Sequence, residues 1–208
     1  MHKLKLQLET IADKSVYDEV FRDHDYGILD DIIKKAQMPI LDIGAHIGLF
    51  SLYAATLNPQ IQIHAFEPDT RNYQKLKDHL KENKIKNVTP KNLALSDQVG
   101  ECDFYLSEDS HNHSLIPITE APIQKIHTTT LEKITAKQSS LAKIDIEGAE
   151  FPVILNSTDQ TLRQIHNYCI EYHADPEPLI ARLQKIGYKT QKFPSRYDKR
   201  FGLLLATS

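Results

Sequence analysis

Glycine is scarce in this chain, at seven in 208 residues against a usual level of about 7%. Backbone positions that only glycine tolerates are therefore few, and two glycines close together mark a specific demand. Tryptophan is absent, and the two cysteines, Cys102 and Cys169, sit in unlike contexts without C-x-x-C spacing. That excludes a disulfide scaffold and points to free thiols in a reducing compartment. No apolar run approaches 18 residues, so no membrane span is expected. The first residues alternate polar and apolar side chains and lack a signal-type apolar stretch, so the expected location is cytoplasmic.

A surplus of basic charge is also missing. Twenty-five Lys and Arg face 28 Asp and Glu, a formal net charge of −3. Nothing there supplies the field of a non-specific nucleic-acid binder. The basic stretch from Lys185 to Arg200 reads as a solvated surface.

What is present is a regular alternation of apolar strands and amphipathic helices. Strands are expected at Pro39–Ile43, Ile61–Phe66, Val88–Leu95, Leu141–Ile146 and Tyr168–Tyr172. Helices are expected over Ile47–Leu57, Thr70–Glu82, Leu131–Ala136, Gly148–Leu155 and Pro178–Ile186, with Pro152 tolerated in a first turn. Lys3–Leu8 alternates with period two and reads as a strand, and Ser15–Ala36 is helical with a break at Gly27. Cys102–Leu106 and His113–Ile118 read as a paired hairpin, and Tyr188–Phe193 with Phe201–Ala206 as an antiparallel pair. The fold class is α/β: a doubly wound, mainly parallel sheet with an antiparallel C-terminal strand pair and a small β-hairpin insertion. No repeat or linker divides it, so one domain is expected over 1–208, with residues 1–37 an N-terminal strand and helical cap on a core at 38–208.

The most informative segment is Asp42-Ile43-Gly44-Ala45-His46-Ile47-Gly48, a strand running through a tight turn into a helix. Gly44 lets the backbone turn sharply beside a ligand, and Gly48 lets the first helical turn pack closely on the strand. Asp42 can brace the loop or face a cationic ligand group. Glu67 ends the second strand about 20 residues on, where a carboxylate suits two ribose hydroxyls. The G-x-x-x-G pattern lacks the middle glycine of the dinucleotide fingerprint, the residue that admits a pyrophosphate. Ala45 and His46 occupy that space, which argues against a nucleotide-dependent oxidoreductase. A donor with a nucleoside but no phosphate, S-adenosylmethionine, fits better.

These segments, with Phe66-Glu67-Pro68, Asn92–Asp97, Thr129-Thr130-Leu131, Lys143-Ile144-Asp145-Ile146-Glu147-Gly148-Ala149-Glu150 and Glu171-Tyr172-His173, resemble the FkbM-type class I methyltransferases. The resemblance runs in order from about Asp13 to His173. It implies a Rossmann-like methyltransferase fold, S-adenosylmethionine as donor, and O-methylation of a sugar or other small-molecule hydroxyl. It places cofactor contacts on Asp42, Gly44, Gly48 and Glu67, with Asn92 and its neighbours near the adenine. Tyr26 corresponds to a family aromatic ahead of the first strand.

Asp145 and Glu147 are two apart at a strand's carboxyl end, and Lys143 shares their parity, so one face holds all three if the strand runs that far. Asp145 is the first candidate for touching the acceptor, and Glu147 is also placed to cap the next helix. Glu171 and His173 repeat the spacing on the fifth strand. The catalytic candidates are thus Asp145, Glu171 and His173. One arrangement has His173 as general base tuned by Glu171, and another has the three holding a divalent metal. The base or substrate-contact role is the one assigned, and no residue is assigned to a metal. Glu108, Asp109, His111 and His113 form a polar loop suited to a solvated tip or a lid, and His46 is as readily solvated as functional. A base methyltransferase acting on nucleic acid is disfavoured, since its (Asn/Asp)-Pro-Pro-aromatic motif is missing after the fourth strand. The partner expected is a small hydroxylated acceptor, a sugar or natural product. The short chain leaves room for a modest cap, which leaves a homodimer open. A non-catalytic S-adenosylmethionine-binding module is the rival from another class.

Overall fold

The computed structural model describes residues 4–106, 122–135, 137–196 and 198–208. Its main sheet has seven strands: β1 (Ile40–Ile43), β2 (Ile63–Phe66), β3 (Val88–Lys91), β7 (Leu141–Ile144), β8 (Asn167–Tyr172), β9 (Lys189–Pro194) and β10 (Gly202–Thr207). Their spatial order is β3-β2-β1-β7-β8-β10-β9. The first five pair in parallel, and β10 inserts antiparallel to both β8 and β9. A doubly wound sheet with an antiparallel strand pair at one edge is the expected class. Chain direction reverses its march between β1 and β7, and ligands of such sheets bind beyond the carboxyl ends at that point.

Both faces of the parallel strands are covered, which is why β1 and β7 are buried at every position. One face carries α3 (Leu49–Leu57) and α4 (Thr70–Glu82), packed through Phe50, Leu52, Leu76 and Leu80. The other carries α5 (Leu131–Ile134), α6 (Glu150–Asn156), α7 (Asp159–Leu162) and α8 (Glu177–Lys185), packed through Leu131, Val153, Leu162 and Leu179. Two polar residues break these apolar strands, Asp42 and Lys143, and they are register partners across β1 and β7.

Helix α4 has the bounds its sequence predicts, and Asp69 caps its start, accepting from the backbone N–H groups of Arg71 and Asn72. The β7 strand is shorter than predicted and stops at Ile144, leaving Asp145 beyond its end. Helix α7 had no predicted counterpart. The stretch read as one strand over Val88–Leu95 splits into β3 and β4 (Ala94–Leu95), and β4 joins a second sheet.

That second sheet, ordered β4-β6-β5, corrects the hairpin expectation. The strand β5 (Gly100–Tyr105) pairs antiparallel with β6 (Ile123–Thr129), not with 113–118. Residues 113–118, and the loop with Glu108, Asp109, His111 and His113, lie outside the described residues.

The N-terminal segment differs as well. Residues 4–8 form no strand, although Leu4, Leu6 and Leu8 do pack against the core. Side chains of α4 satisfy the backbone there. Asn83 accepts from the Lys5 N–H, and His79 Nε2 accepts from the Gln7 N–H at 2.9 Å. The helical region then runs as α1 (Ile11–Tyr17), a π turn (Asp18–Arg22), a 3-10 segment (Asp25–Leu29) and α2 (Asp30–Lys35). Its break falls at His24, which takes a left-handed conformation, while Gly27 lies inside the 3-10 segment.

Among the described residues, no helix is long and apolar enough to cross a membrane.

His79 is fully buried, and its Nδ1 faces the Ile47 carbonyl at 2.8 Å while Nε2 holds the Gln7 N–H. Its ring therefore joins the N-terminal segment to the start of α3. Removing both partners leaves two backbone groups unpaired. His79→Ala is expected to cost about 1–3 kcal/mol in urea denaturation and to speed amide exchange over residues 5–10.

Candidate functional site

The turn after β1 is built from left-handed backbone. Gly44 and Gly48 have φ of 76° and 85°, and His46 between them has 50°. The N–H groups of Gly44 and Ala45 both donate to the Phe66 carbonyl, at 3.0 and 2.9 Å, which pins the turn to the end of β2. A Cβ on Gly44 would lie 1.7 Å from the Asp145 carbonyl oxygen, so only glycine lets the turn pass. At Gly48 the added atom would meet Leu76 at 2.9 Å. The close packing that Gly48 permits is therefore against α4, not against the strand as expected.

Glu67 lies beneath this turn. Its carboxylate accepts from the His46 N–H at 2.8 Å and from the Asp69 N–H at 2.9 Å. Burial pushes its pKa up to about 8 in spite of those two bonds. Asn92 donates from Nδ2 to the carbonyls of Glu67 and Pro68, both at 2.8 Å. Its side chain thus braces the strand end, while its neighbours Leu93, Ala94 and Leu95 face the cavity.

Asp42 does not reach that cavity. It is fully buried, accepts from Ser51 Oγ at 2.6 Å, and stands 3.8 Å from Lys143 Nζ. Of the two roles open to it, bracing is the one the geometry supplies. Burial raises its pKa, opposed chiefly by Lys143.

The cavity itself measures about 840 Å³ and opens beyond the carboxyl ends of β1, β2, β7 and β8. The glycine turn and Glu67 form one end, and Asp145, Glu147, Glu171 and His173 form the other. The N-terminal helical region roofs it, and Arg196 reaches across the rim to Asp25 at 3.0 Å. Tyr26 hangs from that roof against Phe50, ring centroids 5.2 Å apart, and donates to Glu171 at 3.3 Å. Its hydroxyl is thus committed to the acidic end, not to the Glu67 end. His46 is buried, with Nε2 3.9 Å from Asp13, so its ring is not solvated.

Lys143 joins the two ends. Its ammonium donates to the Gly44 carbonyl at 2.8 Å and to Asp145 at 3.2 Å. Asp145 and Asp42 hold it charged, outweighing the burial that opposes charge. Its shared parity with Asp145 was the only signal of this role in the sequence.

Glu147 turns out of the strand with φ 52°, so strand parity does not carry as far as this residue. Nor does it cap α6, whose N-cap position is Ala149 with no side-chain bond. Glu150, the first residue of α6, instead ties down the turn ahead of the helix, accepting from the N–H groups of Ile146 and Gly148 at 2.7 and 2.8 Å. His173 sits among these acids. Its Nε2 is 3.4 Å from Glu147 and 4.0 Å from Asp145, and its Nδ1 is 3.3 Å from Glu150. Glu150 and Glu147, rather than Glu171, are its nearest partners. Burial disfavours the charged ring, but Glu150, Glu147 and Asp145 outweigh it and push the pKa up to about 10. A histidine protonated that firmly is a poor proton acceptor at neutral pH. Burial and Asp145 raise Glu147 to about 8 and Glu171 well above the usual carboxylate range.

A Rossmann-like sheet with a glycine turn, a strand-end acid and a cavity at the switch point is the arrangement of a ligand-binding α/β domain. The comparisons make this specific. The Methyltransferase FkbM domain profile matches residues 42–190. Methyltransferase sdnD of Sordaria araneosa is 29% identical over 176 residues, covering 82% of this chain and 61% of that protein. Methyltransferase 1 of Beauveria bassiana is 27% identical over 195 residues, covering 80% and 74%. The precorrin-6y C5,15-methyltransferase structure from Geobacter metallireducens superposes with a TM-score of 0.56 at 14% identity, covering 89% of this chain and 88% of that one. The chain belongs to the FkbM methyltransferase domain family, whose methyl donor is S-adenosylmethionine. It spans about three-fifths of the Sordaria relative.

The raised pKa values make stability fall as pH rises. The folded protein keeps the Glu147 proton to about 8 and the His173 proton to about 10, while the unfolded chain releases them near 4.5 and 6.5. The contribution of His173 is complete below pH 6.5 and is lost on the way to 10. In urea denaturation the midpoint is expected to decline across that window, and His173→Asn should flatten the decline.

Proposed function

We propose that this domain transfers the methyl group of S-adenosylmethionine to a hydroxyl of a small acceptor, a sugar or natural product. One observation carries the reading: one cavity has the glycine turn and a ribose-type acid at one end and an acid–histidine cluster at the other. At about 840 Å³ it falls in the upper part of the range for ligand sites, about 300–1,000 Å³, with room for a donor nucleoside and a small acceptor.

Glu67 has one backbone donor on each oxygen, which leaves each oxygen a lone pair for the ribose hydroxyls. Leu93, Ala94 and Leu95 supply an apolar wall for the adenine. Lys143 fixes the Gly44 carbonyl and so holds the turn on which the methionine part of the donor lies. Asp145, Glu171 and His173 face the acceptor.

Methyl transfer is an in-line displacement. The acceptor oxygen bonds to the methyl carbon as the carbon–sulfur bond breaks, and the sulfur leaves neutral. Alignment therefore supplies most of the rate, with proton removal as the second requirement. Glu147, raised to about 8, lies near the operating pH where a carboxylate base works best. It takes the acceptor proton.

Calorimetry with S-adenosylmethionine and its demethylated product tests the donor half. Both are expected to bind, and Glu67→Ala is expected to weaken binding by about 1–3 kcal/mol, the loss of charge-assisted hydrogen bonds. No binding of either ligand would overturn the reading. Labelled-methyl transfer to a panel of hydroxylated acceptors tests the other half. Donor binding without turnover on any of them would favour a non-catalytic binding module.

A further inference from the structure

We propose that Asp145, Glu171 and His173 form a site for one divalent cation at the acceptor end of the cavity. The use made of the ion rests on the methyltransferase reading, but the site does not.

The donor atoms are one oxygen from each acid and one imidazole nitrogen, all within 4.8 Å of one another. Ligands on opposite sides of an ion at about 2.1–2.4 Å lie about 4.2–4.8 Å apart, and adjacent ligands lie closer. The set fits around one ion with small adjustments. The 4.0 Å between His173 Nε2 and Asp145 Oδ1 is too long for a hydrogen bond. It is an ordinary separation for two ligands of one metal.

The surroundings resemble an outer shell. A ligating histidine usually turns its other nitrogen to a carboxylate, which fixes tautomer and ring orientation. Here Nδ1 faces Glu150 at 3.3 Å, and Glu150 is fully buried and held by two backbone N–H groups. That leaves Nε2 as the lone-pair donor toward Asp145. Asp145 divides its oxygens in the same way. Oδ2 accepts from Lys143, and Oδ1 faces the imidazole. Lys143 therefore does not occupy the oxygen that the ion needs.

Charge points the same way. Five carboxyl groups, those of Asp42, Asp145, Glu147, Glu150 and Glu171, gather around one lysine and one histidine. An ion with two charges offsets the excess where it is most concentrated. All three ligands line the cavity, which supplies the entry path. Oxygen-rich sets with one imidazole suit manganese or magnesium better than thiolate-seeking metals.

The remaining coordination positions open into the cavity and take the acceptor oxygen. Bound there, the hydroxyl is more acidic. Its proton passes to Glu147, whose Oε2 lies 3.4 Å from Nε2. The oxygen then bonds to the methyl carbon, and the carbon–sulfur electron pair leaves with sulfur. Metal and proton compete for Nε2, so the pH dependence described above belongs to the cation-free protein.

The test is manganese titration of the full chain after stripping with a chelator, read by electron paramagnetic resonance and calorimetry. Saturable binding of one ion per chain is expected. Glu171→Gln and His173→Asn should each weaken it by at least about 10–100-fold, the range for losing even an outer-shell partner of a metal ligand, with circular dichroism confirming that each variant is folded. No saturable binding of manganese or magnesium by the stripped protein overturns the site. Undiminished binding in both variants overturns the ligand assignment. Affinity for the demethylated cofactor is measured on the same samples. A chain that binds the ion but no cofactor supports the site and counts only against the methyltransferase reading.

Discussion

The buried ammonium of Lys143 is the contact on which the site depends. It is 4% exposed and touches the Gly44 carbonyl, Asp145 and Asp42 at once. A charge taken out of water is costly unless its partners are well placed. Here they come from two adjacent parallel strands and the turn that follows one of them. The cross-strand pairing of Asp42 with Lys143 sets this geometry before any loop is considered. Removing Lys143 leaves Asp42 and Asp145 as uncompensated charges, so the glycine turn and the acidic end depend on one ammonium.

Much of this was legible in the chain. The glycine turn, Glu67 and the acid–histidine run stood at strand ends because apolar runs stop there and polar residues follow. Helix α4 was legible to its last residue from its amphipathic pattern, while the Asp69 cap that fixes its start is seen only in the structure. What could not be read was which acid serves which neighbour. Glu147, Glu150 and Glu171 are alike in sequence. Only the left-handed turn at Glu147 and the helix start at Glu150 decide which braces the turn and which lines the cavity. Asn92 and Tyr26 show the same limit, since nothing in the sequence tells that Asn92 braces the Glu67 and Pro68 carbonyls or that Tyr26 donates to Glu171.

Period-two patterning misled in two places, and for one physical reason. It reports which side chains are buried, not what pairs with the backbone. Leu4, Leu6 and Leu8 are buried alternately as a strand would bury them, yet a helix's side chains satisfy their backbone. In the other direction, β6 is a true strand whose alternation is weakened by an exposed Ile123.

The His79 bridge has one more consequence. Its ring spans from the Gln7 N–H to the Ile47 carbonyl, one residue from Gly48. The opening segment is thus a tether on the glycine turn. Tension applied ahead of Leu4 would pass through one imidazole to the backbone of the glycine turn.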